Sequence, residues 1–411
     1  MNDQSLNNAP QGHMTEERRM IRDSARDFAM KEVLPVANEL DPVQGDIPMS
    51  LRQKLADMGY FGILVPEDMG GLGLGCFEYC LVTEELSRAW MSVGSIIRQG
   101  NRVPRAQYMS DEHWRELSRK GAKGEYLGAL AMSEPQTGSD ISGIKTRAVR
   151  DGDDWVITGN KCWCTFADGA DYITVIARTG QGTEDRRHVG LTAFLLNKER
   201  GKFPKGLSGS PLPKIGYFGW KTWELAFDGV RVPKDAIIGT EGKAFYDRVH
   251  GLETARAHTA ARAIGVAQGA LEDATKYALE REQFGRPIAH FQAIRFKIAN
   301  MATEVEAARQ LLHYVCSEID TGRRCDKEAS MVKYFASEMA ERVTSEAIQI
   351  HGGAGYTKHC QVERYWRDAR LTRIFEGTSE IQQQIISDRI LGRHRDPVAK
   401  AKSRGGPEAE A

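Results

Sequence analysis

DWVITG, residues 154–159, is the first of four short runs that decide the fold class of this chain. The others are DYITVIART (171–179), GLTAFLLN (190–197) and WELAFDGVRVP (223–233). All four are rich in β-branched and aromatic residues and are separated by Gly, Asp, Asn and Pro, a pattern that predicts antiparallel strands joined by turns. We therefore predict a central β-domain that begins near Gly128.

The chain on both sides of this β-domain is predicted to be helical. Before it, residues 15–40 begin with Thr15 as a candidate N-cap and place Glu16 and Glu17 in the first turn. After it, residues 251–282 carry a broad apolar face of small alanines, which allows close helix packing. The sequence thus predicts an α+β protein: an N-terminal helical domain (14–128), a β-domain (129–242), a helical bundle (243–393) and a disordered tail (394–411).

Composition excludes several function classes. The 411 residues include 56 Lys and Arg and 56 Asp and Glu, and a zero net charge argues against a nucleic-acid-binding protein. The seven cysteines are odd in number and form no CxxC pair, so we predict no disulfide framework, no metal site and a cytoplasmic location. The polar N-terminus lacks the apolar core of a signal peptide, and no run of about 18 apolar residues predicts a membrane span.

Two polar segments belong to the predicted β-domain. AMSEPQTGSD (131–140) is a turn-prone loop that can present hydroxyls and backbone N–H groups to a ligand. Within WCTFADGADY (163–172), Trp163 and Thr165 share one face of a strand, and an aromatic plane beside a hydroxyl suits a flat heteroaromatic ring. Taken alone, these segments are also typical of an ordinary turn and of a buried core tryptophan.

Two further segments lie at helix ends in the C-terminal part. EREQFGRPI (280–288) places Arg281 and Arg286 where arginines can meet phosphates. IQIHGGAGY (348–356) has glycines that permit close backbone approach to a ligand. Alone, the first segment is also typical of a solvated helix terminus and the second of a helix C-cap.

Glu376 is the candidate general base. In RIFEGTSEIQ (373–382) it stands between Phe375 and Gly377, and apolar surroundings raise the proton affinity of a carboxylate, as a base near neutral pH requires. The alternative is a first-turn helix acid that is stabilised by the helix dipole.

Together and in this order, the five segments resemble the acyl-CoA dehydrogenase family over about residues 14–393. The matching motifs are SEP-x-x-GSD, W-x-T, REQFG, HGGAGY and RIFEGTSEIQ. The resemblance implies a helical N-terminal domain, a central antiparallel β-domain and a C-terminal four-helix bundle, usually in a homotetramer. It also implies that FAD lies between the β-domain and the C-terminal helices, with contacts from a neighbouring subunit.

The resemblance further implies roles for individual residues. The flavin and the thioester end of the substrate are expected to be lined by Leu130, Met132, Ser133 and Ser139, with Trp163 packing on the isoalloxazine and Thr165 bonding near its N5. Contacts to the FAD pyrophosphate and adenosine from the neighbouring subunit are expected of Arg281, Gln283 and Gln292. Further FAD contacts are expected of Gln349, Gly353, Thr378 and Glu380. In GLETAR, Glu253 and Arg256 resemble residues that hold CoA and fix the base.

The implied reaction removes two hydrogens from an acyl-CoA. Glu376 would abstract the α-proton, a hydride would pass from the β-carbon to flavin N5, and the electrons would go on to electron-transfer flavoprotein. Some family members carry the base just before the arginine of GLETAR, but that position is Ala255 here, which favours Glu376 and leaves Glu253 as a minor rival.

The substrate is predicted from Arg98 and Arg102, which are four residues apart and hence on one face of a predicted helix. A second substrate carboxylate would pair with such arginines, so our hypothesis is a substituted succinyl-CoA, such as methylsuccinyl- or benzylsuccinyl-CoA. The alternative is that both arginines are solvated or pair with neighbouring acids. Other open functions are a short- or branched-chain acyl-CoA dehydrogenase without a second carboxylate, an acyl-CoA oxidase and a non-catalytic relative.

Overall fold

The N-terminal part of the computed structural model is helical, as predicted. The structure describes residues 13–183, 186–245 and 251–392, and the predicted disordered tail (394–411) lies outside the described residues. The Thr15 side chain accepts a hydrogen bond from the Arg18 backbone N–H (3.2 Å), which confirms the predicted N-cap. The α-helices of this part are α1 (Glu16–Phe28), α2 (Leu34–Leu40), α3 (Met49–Asp57), α4 (Cys76–Ala89), α5 (Met91–Ile96) and α6 (Asp111–Ala122).

The helix that the sequence predicts around Arg98 and Arg102 is interrupted in the structure. Trp90 has an extended backbone (φ −157°, ψ 113°) and separates α4 from α5, which passes into a 3₁₀ turn at Ile97–Gln99. Arg98 lies in this turn, whereas Arg102 follows the end of the turn and is exposed. The prediction that the two arginines share one helical face is therefore wrong, because no helix connects them.

The described residues of the central part form one sheet of eight strands: β1 (Gly128–Ala131), β2 (Arg147–Asp151), β3 (Asp154–Thr165), β4 (Tyr172–Arg178), β5 (Leu191–Asn197), β6 (Leu207–Pro211), β7 (Thr222–Pro233) and β8 (Ile237–Ile238). The strand order is β6-β7-β3-β2-β4-β5-β8, and β1 pairs with β4. Most pairs are antiparallel as predicted, but β1 runs parallel to β4 because the β2–β3 hairpin intervenes between them. The sheet is therefore mixed.

The C-terminal part is a helical bundle, as predicted, and helix α7 (Leu252–Glu280) lies at its centre between α4 and helix α9 (Asp326–His351). Its alanine-rich face is buried, and a Cβ added at Gly265 would sit 2.1 Å from the Glu84 carbonyl oxygen, so only glycine allows α7 and α4 to approach this closely. None of the described helices combines the length and apolar character needed to span a bilayer. The helices of the bundle are α7 (Leu252–Glu280), α8 (Gln292–Asp320), α9 (Asp326–His351), α10 (Val362–Thr372) and α11 (Ser379–Leu391).

Candidate active site

Glu376 lies in the turn that joins α10 to α11. Its backbone is left-handed (φ 55°), which is uncommon for a residue with a side chain, and Gly377 after it has φ 90°. Lys333 Nζ donates a hydrogen bond to the Gly377 carbonyl at 2.7 Å, and Gln382 Nε2 donates to the same carbonyl at 3.1 Å. Because both donors are buried, the bundle itself fixes this unusual turn and the direction of the Glu376 side chain.

Two guanidinium groups converge on one oxygen of this carboxylate. Arg98 Nη1 lies 2.9 Å from Glu376 Oε1, and Arg262 Nη2 lies 3.1 Å from the same atom. Arg262, on α7, has 2% of its side chain exposed and also donates to Ser95 Oγ (3.1 Å) and Thr259 Oγ1 (2.8 Å). Arg98 leaves 40% of its side chain exposed. One cation is therefore buried in the core, whereas the other is partly exposed.

The arginines change the acidity of Glu376 in the opposite direction to our prediction. Burial, the largest single effect, raises the pKa of Glu376, but Arg98, Arg262 and Lys333 together outweigh it and hold the pKa below its usual value. The predicted rise in proton affinity is thus wrong for this state of the site, because apolar contacts are only part of the surroundings.

Arg262 was missed by sequence reasoning, which selected Arg256 on the same helix. Arg256 Nη1 donates to the Asp326 carbonyl (3.4 Å), and Glu253 accepts from the Cys325 backbone N–H (3.1 Å), so these residues tie the start of α7 to the start of α9. It is Arg262 that meets the base. One sequence feature could have identified Arg262: it is an arginine within the alanine-rich, buried face of a helix. A buried charge of this kind requires a partner of opposite sign.

Trp163 and Thr165 lie at the end of β3, where the pairing with β7 is irregular. A register shift between Lys161 and Cys164 and a left-handed backbone at Trp163 (φ 62°) turn the indole outward, and 62% of Trp163 is exposed. Thr165 is half-buried, and its hydroxyl bonds to the Thr222 hydroxyl (3.0 Å). The indole is therefore available as a stacking surface rather than packed in the core.

The loop after β1 is anchored to the same part of β3. Lys161 and Glu134 form a buried ion pair (2.9 Å), and Lys161 Nζ also donates to the Met132 carbonyl (2.9 Å). The Cys162 backbone N–H donates to the Ser133 carbonyl (2.9 Å). These contacts bring the loop beside Trp163, and they leave Leu130, Met132 and Ser133 half-buried and Ser139 exposed.

The two C-terminal glycine-containing segments are neighbours in space. Tyr277 near the end of α7 stacks on His351 at the end of α9, with ring centroids 4.2 Å apart. The segment after α7 forms a small hairpin, Glu282–Gln283 with Arg286–Pro287, whose tip residue Phe284 is 93% exposed. The predicted residues of this region are exposed: Arg281, Gln283, Gln292, Gln349 and Gly353.

The last two predicted residues belong to the start of α11. Thr378 caps this helix, since its hydroxyl accepts from the Ile381 backbone N–H (3.3 Å), and Glu380 is exposed in the first turn. The structure thus places Thr378 directly beside the turn that carries Glu376.

Three buried cysteines also meet, which the sequence did not predict. Cys76 Sγ lies 3.9 Å from Cys80 Sγ and 3.9 Å from Cys316 Sγ. Cys76 and Cys80 are one turn apart on α4, a spacing that a search for CxxC does not find. All seven cysteines are free thiols, and the cluster offers three sulfur ligands, whereas structural zinc sites use four.

Comparison with known proteins identifies the family. Three family models match in chain order: the N-terminal domain of acyl-CoA dehydrogenase at residues 15–125, the middle domain at residues 129–230 and the C-terminal domain at residues 245–391. The chain belongs to the acyl-CoA dehydrogenase family. It is therefore an FAD-dependent oxidoreductase that acts on CoA thioesters.

Three relatives that this chain matches are named for different CoA thioester substrates. The chain is 42% identical over 389 residues to a (2S)-methylsuccinyl-CoA dehydrogenase of Cereibacter sphaeroides, covering 92% of this chain and 70% of that protein. It is 37% identical over 385 residues to subunit CarC of the caffeyl-CoA reductase–Etf complex of Acetobacterium woodii (92% and 99%). The structure of a glutaryl-CoA dehydrogenase–glutaryl-CoA complex matches with a TM-score of 0.84 and 32% identity, covering 92% of this chain and 96% of that one.

The residues of this acyl-CoA dehydrogenase fit FAD. An outward indole at Trp163 and the adjacent loop suit a flat ring system. Arg281 is exposed beside a hairpin, and a Cβ added at Gly352 or Gly353 would meet nothing within 4 Å, so this surface is open for an anionic group to approach the backbone.

Proposed function

We propose that this enzyme dehydrogenates a substituted succinyl-CoA, such as methylsuccinyl- or benzylsuccinyl-CoA, to the trans-2-enoyl-CoA. The observation that carries the proposal is Arg98, a cation with 40% of its side chain exposed directly beside the candidate base. A carboxylate on the acyl chain can form paired, charge-assisted hydrogen bonds with such a guanidinium. The named substrates of the methylsuccinyl-CoA and glutaryl-CoA relatives also carry a second carboxylate, which supports the same assignment.

Glu376 is the proposed base. It takes the α-proton of the thioester, and the backbone N–H of the same residue stabilises the developing enolate oxygen. FAD, when bound, supplies the acceptor at N5 for the hydride that leaves the β-carbon. One proton and one hydride are removed in total, which leaves the carbon–carbon double bond of the product.

The proposed FAD contacts are the residues named from the family motifs. Trp163, Thr165 and the loop around Ser133 face the flavin, together with Leu130, Met132 and Ser139. In a homotetramer, Arg281, Gln283 and Gln292 meet the pyrophosphate and adenosine of the FAD of a neighbouring subunit. Further FAD contacts come from Gln349, Gly353, Thr378 and Glu380. Glu253 and Arg256 are retained as proposed CoA contacts.

The remaining assignments concern partners and location. The three family matches lie within the divisions 14–128, 129–242 and 243–393, which we propose as the domains. The caffeyl-CoA reductase–Etf relative supports electron-transfer flavoprotein as the electron acceptor. Seven free thiols are consistent with the cytoplasm as the proposed location.

A substrate panel tests the proposal. The FAD-loaded enzyme is mixed under anaerobic conditions with methylsuccinyl-CoA, benzylsuccinyl-CoA, glutaryl-CoA, isobutyryl-CoA and butyryl-CoA, and loss of flavin absorbance is followed. We expect the fastest loss with a substituted succinyl-CoA. Equal or faster loss with butyryl-CoA would remove the assignment of a second carboxylate. Rapid peroxide formation in air, without another acceptor, would instead identify an acyl-CoA oxidase.

A further inference from the structure

The two arginines at Glu376 differ in freedom, although they contact the same oxygen. Arg262 has three side-chain partners at 2.8–3.1 Å, which are Ser95, Thr259 and Glu376 itself. Its side chain is 2% exposed, so any displacement would leave a buried charge without partners. Arg98 contacts Glu376 with one nitrogen and leaves 40% of its side chain exposed. Only Arg98 can therefore exchange this contact for another anion.

The backbone that carries Arg98 is held in place. His258 on α7 forms a hydrogen bond with the Gly94 carbonyl (3.0 Å), one helical turn before Arg98, and its ring stacks on Tyr79 at 4.8 Å. Ser95, the next residue, accepts a hydrogen bond from Arg262. An exchange of partners by Arg98 therefore requires movement of the side chain alone.

We propose that Glu376 is a substrate-gated base, in which Arg98 pairs with Glu376 in the free enzyme and transfers to the distal carboxylate of the bound substrate. This inference rests on the proposed function, since it requires an acyl chain that carries a carboxylate. Arg262 stays with Glu376 throughout and keeps its position. When the thioester has no second carboxylate, Arg98 stays paired with Glu376. Glu376 is then a weaker base towards that substrate.

The transfer makes Glu376 more basic for two reasons. The Glu376 carboxylate loses its ion pair with Arg98, and the carboxylate of the substrate enters nearby. Both changes disfavour the charged form of Glu376 and raise its pKa.

The charged groups that face Glu376 are Arg98, Arg262 and Lys333. Tyr79 and Tyr217 also face it, and burial raises the pKa of both phenols, so they are neutral near pH 7. His258 behind them is neutral as well, because burial lowers its pKa well below the usual value. Arg98 is therefore the charge at this site that the substrate can redirect.

The wild-type enzyme gives the first test. The pH dependence of kcat reports ionisation in the substrate complex, and activity falls on the acid side as Glu376 becomes protonated. The acid limb with methylsuccinyl-CoA should lie about one pH unit above the acid limb with butyryl-CoA, the size expected when one ion-pair partner is lost. Coincident acid limbs for the two substrates would overturn the gate.

The variant Arg98→Gln gives the second test. It should reduce kcat/KM for methylsuccinyl-CoA by about 10- to 100-fold, as expected for loss of one charge-assisted pair. It should also increase kcat for butyryl-CoA by about two- to tenfold, because Glu376 is released and becomes more basic. The matched control is Arg119→Gln, which removes an exposed arginine on α6 and should leave both rates unchanged.

The two substrates also separate the possible failures. If the wild type prefers butyryl-CoA, the proposed function fails. The acid limb of kcat/KM for butyryl-CoA reports the ionisation of Glu376 in the free enzyme, where Arg98 is its partner and no second carboxylate is present. This limb should move to higher pH in Arg98→Gln. An FAD-loaded, folded variant whose acid limb for butyryl-CoA lies at the wild-type pH would overturn the pairing. If Arg98→Gln fails to fold, the wild-type comparison above still decides the question.

Discussion

The guanidinium of Arg262 lies 4.4 Å from the ring centroid of Phe375, the residue that precedes the candidate base. The same guanidinium donates a hydrogen bond to Glu376, so one buried side chain of α7 contacts both residues of the turn. Cation–π contacts strengthen when they are removed from water. The position of the base is therefore set by α7 as well as by its own turn.

Glu376→Gln should retain FAD and lose catalysis. The amide keeps the size of the side chain and its contacts in the turn, but it cannot accept the α-proton. We expect the rate of anaerobic flavin reduction to fall by about 10²- to 10⁴-fold, the usual contribution of a general base. Glu116→Gln, on the exposed surface of α6, is the control. Flavin reduction near the wild-type rate would assign the base elsewhere, with Glu253 as the next candidate.

The sequence predicted the order of helices and strands because each has local signals, such as the Thr15 cap and the alanine-rich face of α7. It also pointed to Arg98 and Glu376, and the structure brings them together across 278 residues. It could not reveal the pair itself, because that contact depends on how α5 docks on the bundle. The acidity of Glu376 was misjudged for the same reason: the sequence shows the flanking Phe375 but not the two arginines that approach from other elements.

The helix break at Trp90 was missed for a different reason. The segment from residue 77 to residue 99 is nearly all buried, and this includes charged residues such as Glu84, Glu85 and Arg88, so hydrophobic periodicity gives no sign of an interruption. Tertiary contacts decide its backbone, including the hydrogen bond that His258 makes with Gly94. Arg102 was grouped with Arg98 on the strength of a continuous helix that does not exist.

Gly377→Ala should weaken the turn that carries the base. Gly377 has φ 90°, and an added Cβ would lie 2.5 Å from Gln382 Nε2, one of the two donors that hold the turn. We expect a loss of stability of about 1–2 kcal/mol together with lower kcat, measured by thermal unfolding and flavin reduction. Gly180→Ala, at an exposed glycine with an ordinary backbone where an added Cβ would meet nothing closer than 3.9 Å, should change neither quantity. Wild-type kcat in Gly377→Ala would show that the turn does not position Glu376.

Trp163 should contribute to flavin binding through its exposed ring. Trp163→Ala removes the stacking surface, and we expect FAD affinity to fall by about three- to tenfold, since an aromatic pair contributes about 0.5–1.5 kcal/mol beyond buried area. Trp163→Phe keeps an aromatic ring and should recover much of that loss. FAD affinity is measured by equilibrium dialysis of the apoenzyme. Equal affinity in Trp163→Ala and the wild type would place the flavin away from this residue.

Lys333 makes the stability of the enzyme depend on pH in a specific direction. Burial lowers its pKa from 10.5 to about 8 in the folded protein. Between about pH 8 and pH 10.5 the unfolded chain therefore binds more protons than the native state, and the contribution of Lys333 to stability rises with pH. Below pH 8 both states are protonated, and the cost of the buried charge is present in full.

Lys333→Met removes this dependence. The stability of the wild type relative to Lys333→Met should rise by about 1–3 kcal/mol between pH 7.5 and pH 10, as a pKa difference of this size implies. The measurement is the thermal midpoint of the FAD-loaded enzyme across this pH range. Lys276→Met, which removes an exposed lysine of α7, should give a curve parallel to that of the wild type. A curve for Lys333→Met that is also parallel would mean that Lys333 keeps its ordinary proton affinity in the folded state.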